Sequence, residues 1–455
     1  MTVVTGTNAS PGAKRHRARS WSAAAGVLVL LVTLAMLTAS PSARSNVRAP
    51  ALDPVRTWNE LGLDAARTKS LSDAQAARLY AMVNVAVYDA VNGIVSQKGK
   101  HSGRGHALVP PTGAPAKGDL DAAAAAAAHA VLRGEFPDQA ALYDAQLAED
   151  LAALREKARV AAAKEWGADV GAAVRAARTN DGSTPNETQP AGSGPGVFRV
   201  TWSGVQFRNL APFAIADPSD YVSSGPPEFH SLDYAGAFAE VKLIGNAAIP
   251  DAGKLTTFRY WSLGTGTSQP PGAWIQVALA VTAARSLPLP KMARLFALVS
   301  MAMADTVAPT VSTKFTYRHW RPATAIREAD TDGNPFTDAD PSWAPRAGGI
   351  GTSPEYWSGH SSFSGSAAAS LAGFFCDDSI RFTLITDSAP GGQARTYPSF
   401  SAAAAEAGRS RVLGGIHFEF SNQDALASGR AVAAEILGNK LLRKRGPTHF
   451  GQCPL

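Results

Sequence analysis

Residues 356–375 have the sequence YWSGHSSFSGSAAASLAGFF, in which a polar turn leads into an alanine-rich stretch. Alanine is the best helix former and serine is favoured just before a helix, so the stretch predicts a helix that runs toward Phe375. The N–H groups at the start of this helix, the Ser358 hydroxyl and the Gly359 amide can all donate hydrogen bonds to an anion. His360 is the one nearby side chain that titrates near neutral pH. Taken alone, the triplet also fits a helix cap followed by a packed histidine.

An upstream segment, residues 314–322 with the sequence KFTYRHWRP, contains two cations seven residues apart. Seven residues make about two helical turns, so we expect Lys314 and Arg321 to lie on one face at the end of a helix. A guanidinium beside an ammonium group is the donor set that a tetrahedral oxyanion prefers. By itself the segment also fits a solvated helix face.

A downstream segment, residues 410–418 with the sequence SRVLGGIHF, contains a third cation and a second histidine. A pair of glycines between Arg411 and His417 frees the backbone to turn both side chains toward one point. By itself His417 also fits a hydrogen-bonded core histidine. The three segments follow in order and each begins or ends a predicted helix, so we predict that they build one anion-binding site.

Outward from these segments, the chain is rich in alanine and shows apolar residues at helical spacing over most of its length. The pattern predicts an all-α protein with long irregular loops. We expect a helical bundle over residues 50–180, a long loop packed on the surface over residues 181–230, and a second bundle over residues 231–445 that contains the site.

The formal net charge of +6 is confined to the amino terminus. Residues 1–50 hold six basic side chains and no acid, and the remainder of the chain is balanced. The balanced remainder shows no net basic excess for a polyanion, so nucleic acid is not a predicted partner.

The amino terminus also has the features of an export signal. The basic residues precede an apolar run at residues 23–39, AAAGVLVLLVTLAMLTA, which small and polar residues follow. Residues 1–43 are therefore predicted to be a signal peptide, or alternatively a retained membrane anchor, and the protein is expected to be secreted. In an oxidising compartment the two cysteines, Cys376 and Cys453, form either a disulfide or two separate thiols.

The combination of the three segments resembles a known superfamily. It unites type 2 phosphatidic acid phosphatases, bacterial acid phosphatases and vanadium-dependent haloperoxidases. The surrounding sequence is most similar to the haloperoxidase-like branch of exported bacterial proteins. That similarity is found in the following stretches: YRHWRPATAIR at 317–327, EYWSGHSSFSG at 355–365, AEAGRSRVLGGIHFEFSN at 405–422 and VAVYDAVNGI at 85–94.

The resemblance implies a vanadate cofactor, and phosphate has the shape to occupy the same site. His417 would be the metal ligand that bonds the central atom, and His360 would contact the apical oxygen. The residues that would hydrogen-bond the equatorial oxygens are Lys314, Arg321, Ser358, Gly359 and Arg411. The implied catalytic residues are His360, His417, Lys314, Arg321 and Arg411.

The resemblance also implies a reaction. A vanadate-dependent haloperoxidase uses hydrogen peroxide to oxidise halide to hypohalous acid, which halogenates an organic acceptor. The alternative is an exported acid phosphatase that cleaves a phosphate ester through a phosphohistidine at His417. A second alternative is a non-catalytic helical protein that binds an oxyanion.

Three positions depart from the pattern of the superfamily. Many relatives have an acid four residues after the second histidine, where this chain has Ser421. Asp424 or Glu419 is therefore considered as the carboxylate that orients His417. Trp357 replaces the usual proline and is expected at the mouth of the site, and Ser353 stands where an aromatic residue would line a halide pocket.

Overall fold

The structure is a computed structural model that describes residues 53–97 and 105–441. Most of these residues are helical. The α-helices are α1 (Pro54–Thr68), α2 (Asp73–Gln97), α3 (Leu120–Glu135), α4 (Ala140–Ala152), α5 (Lys157–Ala177), α6 (Leu232–Ile244), α7 (Ala252–Tyr260), α8 (Gln269–Ala283), α9 (Leu289–Asp305), α10 (Val307–Tyr317), α11 (Pro322–Arg327), α12 (Gly359–Phe375), α13 (Phe400–Leu413) and α14 (Glu419–Asn439).

Strands are few and short in the described residues. Strand β1 (Thr188–Gln189) pairs antiparallel with β2 (Trp202–Ser203), and β3 (Phe382–Leu384) pairs antiparallel with β4 (Arg395–Tyr397). Two such ribbons cannot form a core of their own. The predicted all-α class is therefore confirmed.

In the amino-terminal half, α3 and α5 pack closely because small residues face each other. Every residue from Ala122 to Ala128 of α3 is buried. A Cβ atom at Gly167 or Gly171 of α5 would collide with the backbone of Ala123 or Ala127. The absence of side chains there lets the two helix backbones approach. The long α2 packs beside this pair.

The helices of the two halves pack against each other. Helix α2 lies along α9, and α12 packs against α8, α9, α13 and α14, so apolar side chains from both halves share one large buried cluster. Helix α2 and the stretch Leu289–Tyr317 are long and apolar enough to cross a membrane, but 94% and 89% of their apolar windows are buried inside the protein. Helices buried in a protein core can be as long and as apolar as helices that cross a membrane. The division into bundles at residues 50–180 and 231–445 stays a prediction.

The segment between α5 and α6 packs along the protein despite its irregular backbone. Phe198, Trp202 and Val205 form a buried cluster against α10. The buried Asp305 carboxylate, at the end of α9, accepts hydrogen bonds from three successive backbone N–H groups, Phe213–Ile215, at 2.6–2.9 Å. These bonds satisfy backbone groups that the loop would otherwise bury unpaired. The loop is thereby held beside α10, which contributes Lys314 to the site.

Two predictions about the termini lie outside the described residues. The proposed export signal or anchor, residues 1–43, is one of them. The other is the pairing of Cys376 with Cys453, because only Cys376, which caps the end of α12, is described. Both stay predictions.

Candidate oxyanion site

Lys314 and Arg321 do not share one helix, and the prediction that they lie on one helical face is wrong. Helix α10 contains Lys314 but ends at Tyr317, because Arg318 adopts the left-handed conformation with φ 47°. Arg321 has extended backbone and precedes Pro322, the first residue of α11. A residue before proline is driven away from helical geometry. The turn at residues 318–321 nevertheless brings both cations to the same region.

Arg321 is held by the loop ahead of α12 and by the segment ahead of α14. Its Nε donates to the Ser353 carbonyl at 2.8 Å and its Nη1 to the Ile416 carbonyl at 2.7 Å. Nη1 also lies 3.0 Å from Nε2 of His417. Arg321 therefore joins two of the three predicted segments directly.

The Ser-Gly-His triplet begins a helix, as predicted. Ser358 is the N-cap of α12, and its buried hydroxyl oxygen accepts from the Ser361 amide at 3.4 Å and the Ser361 hydroxyl at 2.8 Å. Gly359 is the first helical residue. The first N–H groups of a helix have no acceptor within it, so this helix start offers donors to an anion.

Arg411 occupies the last turn of α13, and a tight turn follows it. Gly415 has φ +75°, a conformation that glycine adopts without strain, and the chain then reaches His417 just before α14. The Arg411 Nη1 donates to the Trp261 carbonyl at 3.2 Å, while its buried Nε has no hydrogen-bond partner among the described residues.

His360 lies next to Arg411 and is held by the adjacent backbone carbonyl. Its Nε2 is 3.0 Å from the Ser262 carbonyl oxygen. A carbonyl can only accept, so this nitrogen carries the hydrogen. Burial first, and the Arg411 charge second, place the pKa of His360 well below its usual value. The other ring nitrogen is therefore unprotonated at neutral pH.

His417 has a carboxylate partner that the sequence analysis missed. Its Nδ1 lies 2.9 Å from Oε1 of Glu355, which also accepts the Phe418 amide at 3.0 Å. The other Glu355 oxygen lies 3.4 Å from Nδ1 of the buried His319. Burial acts to raise the pKa of Glu355, but the hydrogen bond from His417 and the proximity of His319 hold it below its usual value.

Neither carboxylate considered for this place orients His417. Asp424 accepts the Tyr356 hydroxyl at 2.7 Å, and Glu419 pairs with Arg409. The Ser421 hydroxyl, four positions after His417, lies 3.3 Å from Nδ1. Because the serine side chain is short, the longer Glu355 side chain can contact the same nitrogen. Glu355 stands three residues before Ser358, so its position beside the triplet was the available signal.

The hydrogen bonds of His417 fix its tautomer. Nδ1 donates to the Glu355 carboxylate, and Nε2 accepts from the Arg321 guanidinium. Burial first, and the charge of Arg321 second, lower the pKa of His417 to about 3. Its Nε2 therefore keeps a lone pair at neutral pH, which a ligand or nucleophile requires.

The three cations of the site are buried without a direct ion pair. Lys314, Arg321 and Arg411 are 7%, 4% and 7% exposed, and none forms an ion pair within residues 53–97 and 105–441. Burial places the pKa of Lys314 well below its usual value and lowers those of Arg321 and Arg411 to about 10 and 9. The Arg321 charge further lowers the pKa of the other two. A bound anion would offset this cost.

We call this set of residues the cage: Lys314, Arg321, Ser358, Gly359, Arg411 and His417. Its unpaired cations, the open helix start and the unpartnered Arg411 Nε fit a tetrahedral oxyanion, and the Nε2 lone pair of His417 fits a bond to the central atom. His360, which lies next to Arg411, is the one predicted site residue outside this set. The roles of the individual residues stay predictions.

A cavity of about 210 Å³ opens beside the cage. Lys314, Ser353 and Gly359 are among the residues that line it. Asp73 at the start of α2 and Trp202 from the long loop line it as well. The amino-terminal half and the loop therefore contribute walls to the site, although the sequence analysis placed the site in the carboxyl-terminal bundle alone.

The two other departures from the superfamily pattern have different outcomes. Trp357 is 1% exposed and donates to the Thr310 hydroxyl at 3.0 Å, so the expectation that it lies at the mouth of the site is wrong. It is a packing residue between α10 and α12. Ser353 does line the cavity, and its carbonyl holds Arg321.

Substitution of Glu355 should impair the site more than substitution of Asp424. In Glu355→Gln the side chain keeps its shape but loses the charge that stabilises the His417 tautomer. Vanadate affinity is expected to fall about 10- to 100-fold, as for other partners of ligating histidines. Asp424→Asn is the matched control and should bind vanadate like the parent. A larger loss for Asp424→Asn, measured by vanadate titration, would contradict the assignment.

Known proteins share this architecture. Residues 294–441 match the family model of the VCPO second helical-bundle domain. Over these residues the chain is therefore similar to a domain of that family, and the described residues share the helical fold of the solved structures that follow.

Among solved structures, the chain is similar to one described as the first bacterial vanadium-dependent iodoperoxidase, with a TM-score of 0.67, 20% identity, and coverage of 86% of this chain and 96% of that one. It is also similar to a bacterial vanadium-dependent chloroperoxidase. The apo form gives a TM-score of 0.58 and 18% identity over 79% of this chain and 91% of that one. The holo form gives 0.58 and 17% over 80% and 92%. No curated protein sequence matches the chain significantly.

Proposed function

We propose that this protein is a vanadate-dependent haloperoxidase that oxidises halide with hydrogen peroxide. The observation that supports the proposal most is the buried, unpaired charge of Lys314, Arg321 and Arg411 around an imidazole nitrogen that keeps its lone pair. Such an arrangement is costly in an empty protein and favourable around an oxyanion. The shared fold of bacterial iodoperoxidase and chloroperoxidase adds support for vanadate over phosphate.

Each side chain has a task in this proposal. Glu355 orients His417 so that its Nε2 faces the bound group. The Arg321 guanidinium, which contacts this Nε2 in the anion-free site, donates to an oxyanion oxygen instead. Lys314 and Arg411 withdraw negative charge from the other oxygens. When bound, vanadate supplies a Lewis acid that activates hydrogen peroxide toward halide without a change in oxidation state.

His360 is the proton acceptor in this proposal. Its lowered pKa leaves one ring nitrogen unprotonated at neutral pH, so it can take a proton from hydrogen peroxide. The Nε2–H bond to the Ser262 carbonyl keeps the ring in this tautomer. The cavity beside the cage admits halide and an organic acceptor, and Trp202 provides an aromatic wall for the acceptor.

The assay that tests this proposal combines the purified protein, orthovanadate, hydrogen peroxide, bromide and a phenolic dye. Bromination of the dye is expected to require vanadate and to fall when phosphate competes for the cage. Absence of bromination, iodination and chlorination at all pH values, with cleavage of a phosphate ester, would favour the phosphatase instead. Stabilisation by vanadate without either activity would favour an oxyanion-binding protein.

We further propose that the protein works outside the cytoplasm. The basic and apolar stretches of residues 1–43 support this location. Amino-terminal sequencing of the protein recovered from the culture medium should begin after residue 43. Recovery of the intact chain from the membrane fraction would indicate a retained anchor.

A further inference from the structure

A carboxyl group, Asp73, faces the cage from the amino-terminal half of the chain. It is the first residue of α2 and is half-buried. It lines the 210 Å³ cavity together with Lys314 and Gly359. An acid is an unexpected neighbour for an anion, because two negative charges at close range repel each other.

Only one oxygen of this carboxyl group has a hydrogen-bond partner in the described residues. Oδ1 accepts from the Ala74 amide at 2.8 Å. Oδ2 points toward the start of α12, where it lies 3.5 Å from the position that a Cβ atom on Gly359 would occupy. Because Gly359 has no side chain, Oδ2 borders the space in which the helix start would hold an oxyanion.

The groups around Asp73 favour its neutral form. Burial raises its pKa, and the Ala74 hydrogen bond and the Lys314 charge oppose that shift only in part. Lys314, on α10, is the one other ionisable side chain that lines the cavity. The segments 202–204 and 352–353 contribute no titratable group there, and α12 contributes only Gly359 and Phe363.

We propose that Asp73 is protonated when the cage holds an oxyanion and that it donates a hydrogen bond from Oδ2 to an anion oxygen. The proton comes from solvent, so wherever Asp73 is ionised in the anion-free protein, anion binding is coupled to the uptake of one proton. At pH values where Asp73 is ionised in the anion-free protein, binding weakens, because protonation must precede or accompany it. This inference depends on the anion site of the proposed function but not on halide oxidation.

The test compares binding of inorganic phosphate and of orthovanadate to the parent protein and to Asp73→Asn between pH 5.5 and 8.5. Asparagine keeps a donor in place of the protonated carboxyl and carries no charge. The ratio of the two affinities at each pH cancels the titration of the ligand itself. We expect the variant to bind like the parent at acid pH and at least about tenfold more tightly at pH 8.5.

Two further measurements separate a binding role from a structural one. Calorimetry in buffers of different ionisation enthalpy should show about one proton fewer taken up by Asp73→Asn than by the parent at pH 8.5. Asp73→Ala, which lacks the donor, should bind more weakly than Asp73→Asn at every pH. Asp64→Asn, an exposed acid on α1 that pairs with Arg67, is the matched control and should leave the affinities unchanged.

A constant affinity ratio between the parent and Asp73→Asn across this pH range would overturn the proposal and leave the cage intact. Weaker binding by Asp73→Asn at all pH values would overturn it as well. If neither anion binds the parent protein at any pH, the proposed function fails together with this inference.

Discussion

His417→Ala should abolish vanadate-dependent halogenation, with a loss of at least about 10³-fold in kcat/KM. The imidazole Nε2 is the proposed ligand of the central atom. The substitution also removes the Nδ1 bond to Glu355, which should lower the free energy of unfolding by about 1–3 kcal/mol. Steady-state rates and thermal unfolding measure the two effects.

The variant should still bind phosphate, because the three cations of the cage remain. Phosphate-induced thermal stabilisation would therefore survive in His417→Ala while the reaction is lost, which separates bond formation from anion binding. His230→Ala, an exposed histidine that contacts the Gly333 carbonyl, is the control and should keep full activity. Substantial halogenation by folded His417→Ala would exclude His417 as the vanadium ligand.

Arg411→Met should weaken anion binding strongly and change stability only slightly. The guanidinium is buried, has an unpartnered Nε, and has no ion pair in the described residues. Replacing it by an apolar side chain of similar length removes this desolvation cost, so the anion-free protein should lose no more than about 1 kcal/mol of stability, despite the loss of the Trp261 bond. Vanadate affinity should fall on the order of 100-fold, because a charge-assisted donor is lost.

Arg409→Met provides the comparison for this prediction. Arg409 lies two residues away, but its guanidinium pairs with Glu240 and Glu419. Its loss should leave vanadate affinity unchanged and affect only stability. Vanadate titration followed by thermal unfolding distinguishes the two variants. Equal affinities in Arg411→Met and Arg409→Met would show that Arg411 lies outside the anion site.

The local motifs were predictable from the sequence because their function is encoded within a few residues. The serine before an alanine-rich run predicts the N-cap at Ser358, and the glycine pair predicts the turn between Arg411 and His417. Both features appear in the structure. The same short-range rules could not place Lys314 relative to Arg321, because a left-handed residue at Arg318 ends the helix between them.

The sequence pattern could not predict contacts between segments that lie far apart in the chain. Glu355 contacts His417 although the two residues lie 62 positions apart in the sequence. The position one helical turn after His417, where relatives have an acid, is Ser421. The contributions of Asp73 and Trp202 depend on how α2 and the long loop pack beside α10. Periodicity predicts that such segments are helical or irregular, but it contains no information on which surface they cover.

The most direct test is a crystal structure of the protein soaked with orthovanadate. The expected result is a single vanadium atom at bonding distance from the His417 Nε2, with oxygens that face Lys314, Arg321 and Arg411. Vanadium bound elsewhere, or bound without contact to His417, would contradict the proposed site.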